Sequence, residues 1–157
     1  MIYVFDTSSL RVAFRHYYRS SFPSFWDRFD DAIESSLVTS VREVLNEINS
    51  YGEEDELQEW AKGHREIFTI PTDEESAFTK EILAINHFQA LISQKNILSG
   101  KPVADPFVIA KAKISKGTVV TQEIVKPQAA KIPNICEHFQ IPCCNLEEFM
   151  TTVDWRF

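Results

Sequence analysis

No stretch of this chain carries more than a few apolar residues in a row, far short of the roughly 20 needed to span a bilayer. Nor does a basic segment precede a long apolar core at the N-terminus. A membrane span and a secretory leader are therefore not expected, and the expected address is cytoplasmic. Cysteine is scarce: Cys136, Cys143 and Cys144 make an odd number and do not suggest a disulfide framework. With His138 they offer neither a C-x-x-C nor an H-x-x-x-H pair, the usual frame of a zinc site, and read as small buried residues in a reducing compartment. Excess positive charge is also missing, with 16 Lys and Arg against 23 Asp and Glu and a net charge of −7. Such a molecule has no overall attraction for a polyanion, so any action on nucleic acid needs a local basic patch or metal ions that neutralise carboxylates. Repeats and low-complexity tracts are absent. At 44% hydrophobic and 25% charged, the 157 residues fall outside the disordered and collagen-like classes. They have room for one domain, residues 1–157, with a full core.

What is present is organised around the first ten residues. Ile2, Tyr3, Val4 and Phe5 form an apolar run of β-branched and aromatic side chains, which reads as a strand buried on both faces. Asp6 follows at once, at the carboxyl edge where ligands bind in open α/β sheets. Thr7, Ser8 and Ser9 are placed to cap the helix that starts there. Helix capping alone would account for Asp6; what weighs against that is the recurrence of acids at comparable junctions later in the chain.

Hydrophobic spacing predicts a helix over residues 10–19, with Arg11, Arg15 and Arg19 about a turn apart on one face. That stripe is either a solvated face or a phosphate-contacting edge beside Asp6. Phe22, Phe25, Trp26 and Phe29 recur as the stripe of a second helix. A strand is expected over residues 35–38, with Thr39 or Ser40 capping a helix that turns Val41, Val44, Leu45 and Ile48 inward and spaces Glu43 and Glu47 one turn apart. Residues 50–52 end that helix, and the acids of 53–56 read as the start of another, before Leu57, Trp60 and Ala61. A strand over 66–70 closes at Pro71, and Thr72 or Asp73 opens a helix running to about Gln94. After a turn at 100–102, Asp105 is read as an N-cap with Pro106 at the first helical position. A strand over 117–121 delivers Glu123 just past its end. Residues 127–133 read as a loop, 135–139 as a short helix, and 141–144 as an edge strand interrupted by proline, before a helix capped by Asn145. Alternating strands and helices argue for right-handed crossovers. The expected fold class is α/β, a three-layer α/β/α sandwich with a mainly parallel central sheet of four to five strands.

Asp6, Glu47 or Glu43, Asp105 and Glu123 share one property: each lies just beyond a strand or at a helix start. In a parallel sheet such positions can face the same edge. Converging carboxylates repel one another unless protonated or bridged by cations. An oxygen-only set suits Mg²⁺ or Mn²⁺, ions that polarise a phosphodiester and activate water.

Phe5-Asp6-Thr-Ser-Ser-Leu10 resembles the opening motif of PIN-domain nucleases, whose first-strand Asp is a metal ligand supported by a nearby hydroxyl. Asp105-Pro-Phe-Val-Ile-Ala-Lys-Ala112 resembles their later D-x-x-I-A-x-A motif, and Val119-Val-Thr-Gln-Glu123 their last acidic motif, with Glu in place of the common Asp. The tail, from Ile132-Pro-Asn-Ile-Cys-Glu-His-Phe139 through Leu146-Glu-Glu-Phe-Met150, is similar to an uncharacterised PIN-like subfamily often encoded beside a helix-turn-helix or metallopeptidase-like partner. The resemblance implies Asp6, Asp105, Glu47 and Glu123 as ligands of Mg²⁺ or Mn²⁺. Glu47-Ile48 fits the family's Glu-Leu pair better than Glu43-Val44, and Glu43 stays as the alternative. It further implies Ser8 as a hydrogen-bonding support and Glu123 as a second-metal or water-orienting group. RNA would approach along Arg11, Arg15, Arg19, Lys111 and Lys113. The activity implied is that of a metal-dependent endoribonuclease, the toxin of a toxin–antitoxin pair, with RNA, a cognate antitoxin and at most a second copy of the chain as partners. The alternative is a catalytically silent PIN-like module acting by protein or RNA binding. A haloacid-dehalogenase-type enzyme would need Asp where Ser8 stands. A response-regulator receiver would need an acidic pair at the first strand and a phospho-acceptor Asp after a middle strand, where Val38-Thr39-Ser40 has none.

Overall fold

The computed structural model describes residues 1–51, 55–92 and 103–157. Strand β1 (Tyr3–Phe5) leads into α1 (Thr7–His16), α2 (Pro23–Glu34), β2 (Val38–Val41), α3 (Arg42–Asn49) and α4 (Glu56–Lys62). Then come β3 (Phe68–Thr69), α5 (Asp73–Leu83), α6 (Asp105–Ser115), β4 (Thr118–Val120), α7 (Ile132–Phe139), β5 (Cys143–Cys144) and α8 (Leu146–Thr152). The five strands are all parallel, in the order β3-β2-β1-β4-β5, so β1 is central as expected.

Side chains alternate across a strand, and this divides the core into two layers. Tyr3 and Phe5 meet Phe149 at ring-centroid distances of 4.8 and 5.1 Å, and Phe5 meets Phe29 at 5.5 Å, so α2 and α8 cover one face. On the other, α6 packs across β1, β2 and β4 and against α5 and α7. A three-layer sandwich results.

Local chemistry explains most boundaries. Asp6 caps α1 through Ser9 N–H, Pro23 sits in the first turn of α2, and capping boxes open α4 (Asp55 with Gln58), α5 (Thr72 with Glu75) and α8 (Asn145 with Glu148). Several expected boundaries shift. Residues 35–37 form the turn that ends α2, not a strand: Ser36 takes φ 62° and Leu37 N–H returns to Ala32 O at 2.9 Å. The strand therefore starts at Val38 and contains Thr39 and Ser40, which cap nothing. Helix α1 stops at His16, which takes Arg19 off the helical stripe. A 3₁₀ turn at Arg65–Ile67 shortens β3, and α5 gives way after Leu83 to a 3₁₀ segment, Asn86–Leu91, instead of continuing to Gln94. Helix α7 begins at Ile132 with Pro133 in its first turn, where a loop was expected. Asp105 is not an N-cap: Ala104 holds that position and no side chain caps α6. The expected turn at 100–102 and the end of the α3 connection at 52–54 lie outside the described residues.

Gly117 leads into β4 where backbones pass closely, since a Cβ there would sit 2.6 Å from Ile2 O. Thr118 N–H donates to that same oxygen at 2.8 Å, so the strand cannot move away without losing its ladder. Gly117→Ala should cost about 1–3 kcal/mol, read as a lowered urea midpoint with unchanged m-value.

Candidate functional site

The strand order places a topological switch between β1 and β4: from β1 the chain winds outward through β2 and β3, then returns to β4 and β5 on the other side. Ligand crevices in open α/β sheets form at the carboxyl ends flanking such a point. Here those ends are Asp6 and the segment from Thr121 to Glu123. Between them opens a polar pocket of about 580 Å³ lined by Asp6, Ser8, Glu47, Asp105 and Glu123, with Arg11, Arg15 and Tyr51 also on its wall.

Asp6 is almost fully buried, and its main-chain N–H donates to Val120 O at 3.1 Å, extending the β1–β4 ladder by one residue. Ser9 N–H and Ser8 Oγ–H both reach Oδ1 at 2.8 Å, and Thr121 Oγ1–H donates to Oδ2. Ser8 Oγ accepts Gln122 N–H at 3.0 Å, Thr121 Oγ1 accepts Glu123 N–H at 3.2 Å, and Ser9 Oγ–H donates to Val120 O at 2.9 Å. The hydroxyls thus stitch the start of α1 to the end of β4 through one carboxylate. Burial pushes that carboxyl above its ordinary range, and donors from Thr121, Ser9 and Ser8 oppose the rise.

Glu47, in the second turn of α3, accepts Thr7 Oγ1–H on Oε1 at 2.6 Å and Ala104 N–H on Oε2 at 3.3 Å, fixing α3 to the starts of α1 and α6. Its carboxyl is raised first by burial, against those two donors, with Asp6 and Glu123 adding repulsion. Glu123 accepts Ile132 N–H on Oε2 at 2.9 Å, which ties the acidic loop to the first turn of α7. Asp105 differs. None of the described residues donates a hydrogen bond to its side chain, and its carboxyl is pushed up to about 8, first by burial, then by Glu123, Glu47 and Asp6, with Lys131 pulling the other way. It stands as the one of the four acids with no protein donor among the described residues, in a mutually repelling set.

Position separates the two acids of α3. Glu43 is buried, pairs with Arg42 Nη2 at 2.7 Å and does not line the pocket; Glu47 does. The basic residues separate as well. Arg11 and Arg15 are on the pocket wall. Arg19 instead lies over Trp26, 5.4 Å from its ring, in a different cleft with Trp60 and His64. Lys111, expected at the RNA face, points its ammonium at Thr69 Oγ1 (2.7 Å) and Glu75 Oε1 (3.9 Å) and is only 14% exposed. It braces α6 against β3 and α5. Lys113 sits 6.0 Å from the Phe78 ring, also away from the pocket.

Sequence reasoning missed Thr7, Thr121 as a direct partner of Asp6, and Tyr51. A hydroxyl at the end of a strand that precedes an acid was the signal for Thr121. Tyr51 had none, because its placement depends on where α3 stops.

Four carboxylates and no sulfur or imidazole line the pocket, oxygen donors of the kind a hard cation takes, and the repulsion on Asp105 is what such an ion would relieve. Among the described residues, no group of three or more His, Cys, Asp or Glu is arranged to enclose one ion.

Fold and pocket together define an α/β protein that gathers acids at the switch point of an all-parallel sheet. A family model described as a domain of unknown function, DUF4411, matches residues 3–157, and the chain belongs to that family. No curated protein matches it. No helix among the described residues is long and apolar enough to cross a membrane.

Proposed function

We propose that the protein is a metal-dependent endoribonuclease of PIN type that hydrolyses RNA phosphodiesters with Mg²⁺ or Mn²⁺, as the toxin of a toxin–antitoxin pair. The observation that carries this reading is the convergence of Asp6, Glu47, Asp105 and Glu123 on one pocket whose wall also carries Arg11 and Arg15. Asp105, with Asp6 and Glu47 beside it, would hold the ion. Such an ion polarises the phosphodiester and lowers the pKa of attacking water. Glu123, held by Ile132 N–H, orients that water or takes a second ion. Ser8 and Thr121 keep Asp6 aimed and dry, and Arg15 attracts the RNA backbone toward a pocket that is otherwise negative. An antitoxin that inserts an Arg or Lys among the carboxylates would block the same charges.

Water attack that breaks the P–O3′ bond and expels the 3′-oxygen, which takes up a proton, leaves a 5′-phosphate and a 3′-hydroxyl. Incubation of the purified protein with single-stranded RNA and Mn²⁺ should give those ends and should stop in EDTA; persistence in EDTA or a 2′,3′-cyclic phosphate would refute the mechanism. Arg15→Ala should weaken RNA binding and reduce the salt slope of log K by about 1 without changing Mn²⁺ affinity. An unchanged slope would mark Arg15 as a merely solvated residue.

A catalytically silent module is the second reading, favoured by two observations: three of the four acids already have hydrogen-bond donors, and among the described residues no three of them enclose an ion. Thermal denaturation separates the two. A site that binds only in the native state stabilises by about 2.7 kcal/mol at 100 times Kd, so millimolar Mn²⁺ should raise the melting temperature by several degrees; no rise would leave the silent module.

A further inference from the structure

Tyr51 follows Ser50, the C-cap of α3, lines the acidic pocket and leaves 52% of its surface exposed. Exposed aromatics are ordinary, but this one is held. The guanidinium of Arg11 lies over its ring, 3.9 Å from the centroid, and is itself anchored by Asp55, whose Oδ2 accepts from Nη1 at 3.0 Å. Asp55 is fixed in turn, as the N-cap of α4 in a capping box with Gln58, and Gln58 Nε2 donates to Tyr51 O at 3.1 Å. A closed loop of contacts therefore holds ring and guanidinium: Arg11 to Asp55, Asp55 to Gln58, Gln58 back to the Tyr51 main chain.

This arrangement carries a cost. Among the described residues, Arg11 Nε and Nη2 are shielded from solvent and find no hydrogen-bond partner, and buried unpaired donors are unfavourable. A surface arginine free to choose would turn those groups to water. It covers one side of the tyrosine instead, and half of the ring stays open. An aromatic plane held in place, backed by a cation and beside a pocket with a second arginine, is what a nucleobase stacks on. Base–aromatic stacking tolerates any sequence because every base has a π-face, and the base must be unpaired to reach it.

We propose that Tyr51, backed by Arg11, is a nucleobase-stacking subsite that selects unpaired RNA and places the adjoining phosphate over the carboxylates. The proposal deepens the ribonuclease reading and rests on it for the substrate class. Asp55 and Gln58 are positioning residues in it, and base identity is not read.

The test uses the intact protein in EDTA, so that nothing is cut, with a single-stranded oligoribonucleotide carrying 2-aminopurine and a blunt duplex of the same length. The wild type should quench the fluorophore and bind the single strand more tightly than the duplex. Tyr51→Leu should lose the quenching and about tenfold in affinity, whereas Tyr51→Trp should retain both. The ring is half exposed and its main-chain bond survives substitution, so all three proteins should give the same circular dichroism. Equal quenching by Tyr51→Leu, equal affinity for duplex, or no binding of the single strand would each overturn the subsite. Cleavage with Mn²⁺ is scored separately. Stacking without cleavage keeps the subsite and removes the nuclease, and cleavage by a protein whose Tyr51→Leu variant stacks unchanged does the reverse.

Discussion

Asp6→Asn should lower RNA cleavage by a factor on the order of 10²–10³ and abolish the Mn²⁺-dependent rise in melting temperature, while the metal-free protein stays folded. The reasoning starts from what the carboxylate does apart from chemistry. It caps α1 through Ser9 N–H, receives Ser8 and Thr121, and lies beside the last rung of the β1–β4 ladder. Asn keeps an acceptor for the cap, and Asn is as good an N-cap as Asp. One acceptor becomes a donor facing Thr121 Oγ1, at a cost of about 1 kcal/mol. Against that, a buried charge whose ionisation the fold opposes is removed. The two effects nearly cancel, so the melting temperature in EDTA should move by no more than a few degrees. Unchanged metal binding and cleavage would put the reaction elsewhere.

Asp105 gives the second large effect, on stability as a function of pH. Its ordinary value of 3.8 rises to about 8 in the folded protein. Between those values the native state holds a proton that the unfolded chain has released, so the unfolding free energy falls as pH rises. The protonated group's contribution is fully present below about pH 4 and is lost as pH climbs through about 8. Asp6 and Glu47 are shifted in the same direction and steepen the trend. In EDTA the melting temperature should therefore drop between pH 5 and 8. Asp105→Asn should flatten that drop and be the more stable protein at pH 8, by about 2–4 °C for each kcal/mol of repulsion removed. Mn²⁺ should flatten the wild-type curve as well, because the ion takes the place of the proton. A wild type and variant with parallel pH profiles would mean that Asp105 ionises freely.

The layout of the sheet was legible because its signal is local: an apolar run with an acid at its end reads the same in sequence and in space. Asp6, Asp105 and Glu123 were legible for the same reason, each beside a strand end or helix start, whereas Glu47 lies a turn into α3 and was left open against Glu43. What escaped depended on turns and partners. Ser36 in a left-handed conformation moves β2 by three residues, which hydrophobic pattern cannot register because Leu37 and Val38 are apolar in either alignment. Asp105-Pro106 looks like a cap and first turn, yet the cap lies one residue earlier, and this frees the carboxylate for the pocket. The arginine stripe assumed a helix that continued past His16, and Lys111 was placed at the RNA face on its charge alone. Its bond to Thr69 is a contact between segments far apart in sequence, and nothing along the chain announces it.

The strand order also fixes when the pocket can exist. Tyr3 pairs with Val38 on one side and with Thr118 on the other, so the central strand of the sheet is made first and completed late. At ribosomal rates of roughly 5–20 residues per second, the wait for β4 is on the order of ten seconds. Until then Asp6 has neither Thr121 nor Val120 beside it, and Glu123 has not been made. A nascent chain therefore emerges with its acids apart. The pocket between Asp6 and Glu123 takes shape only once β4 has paired with β1 and the segment that follows it is in place.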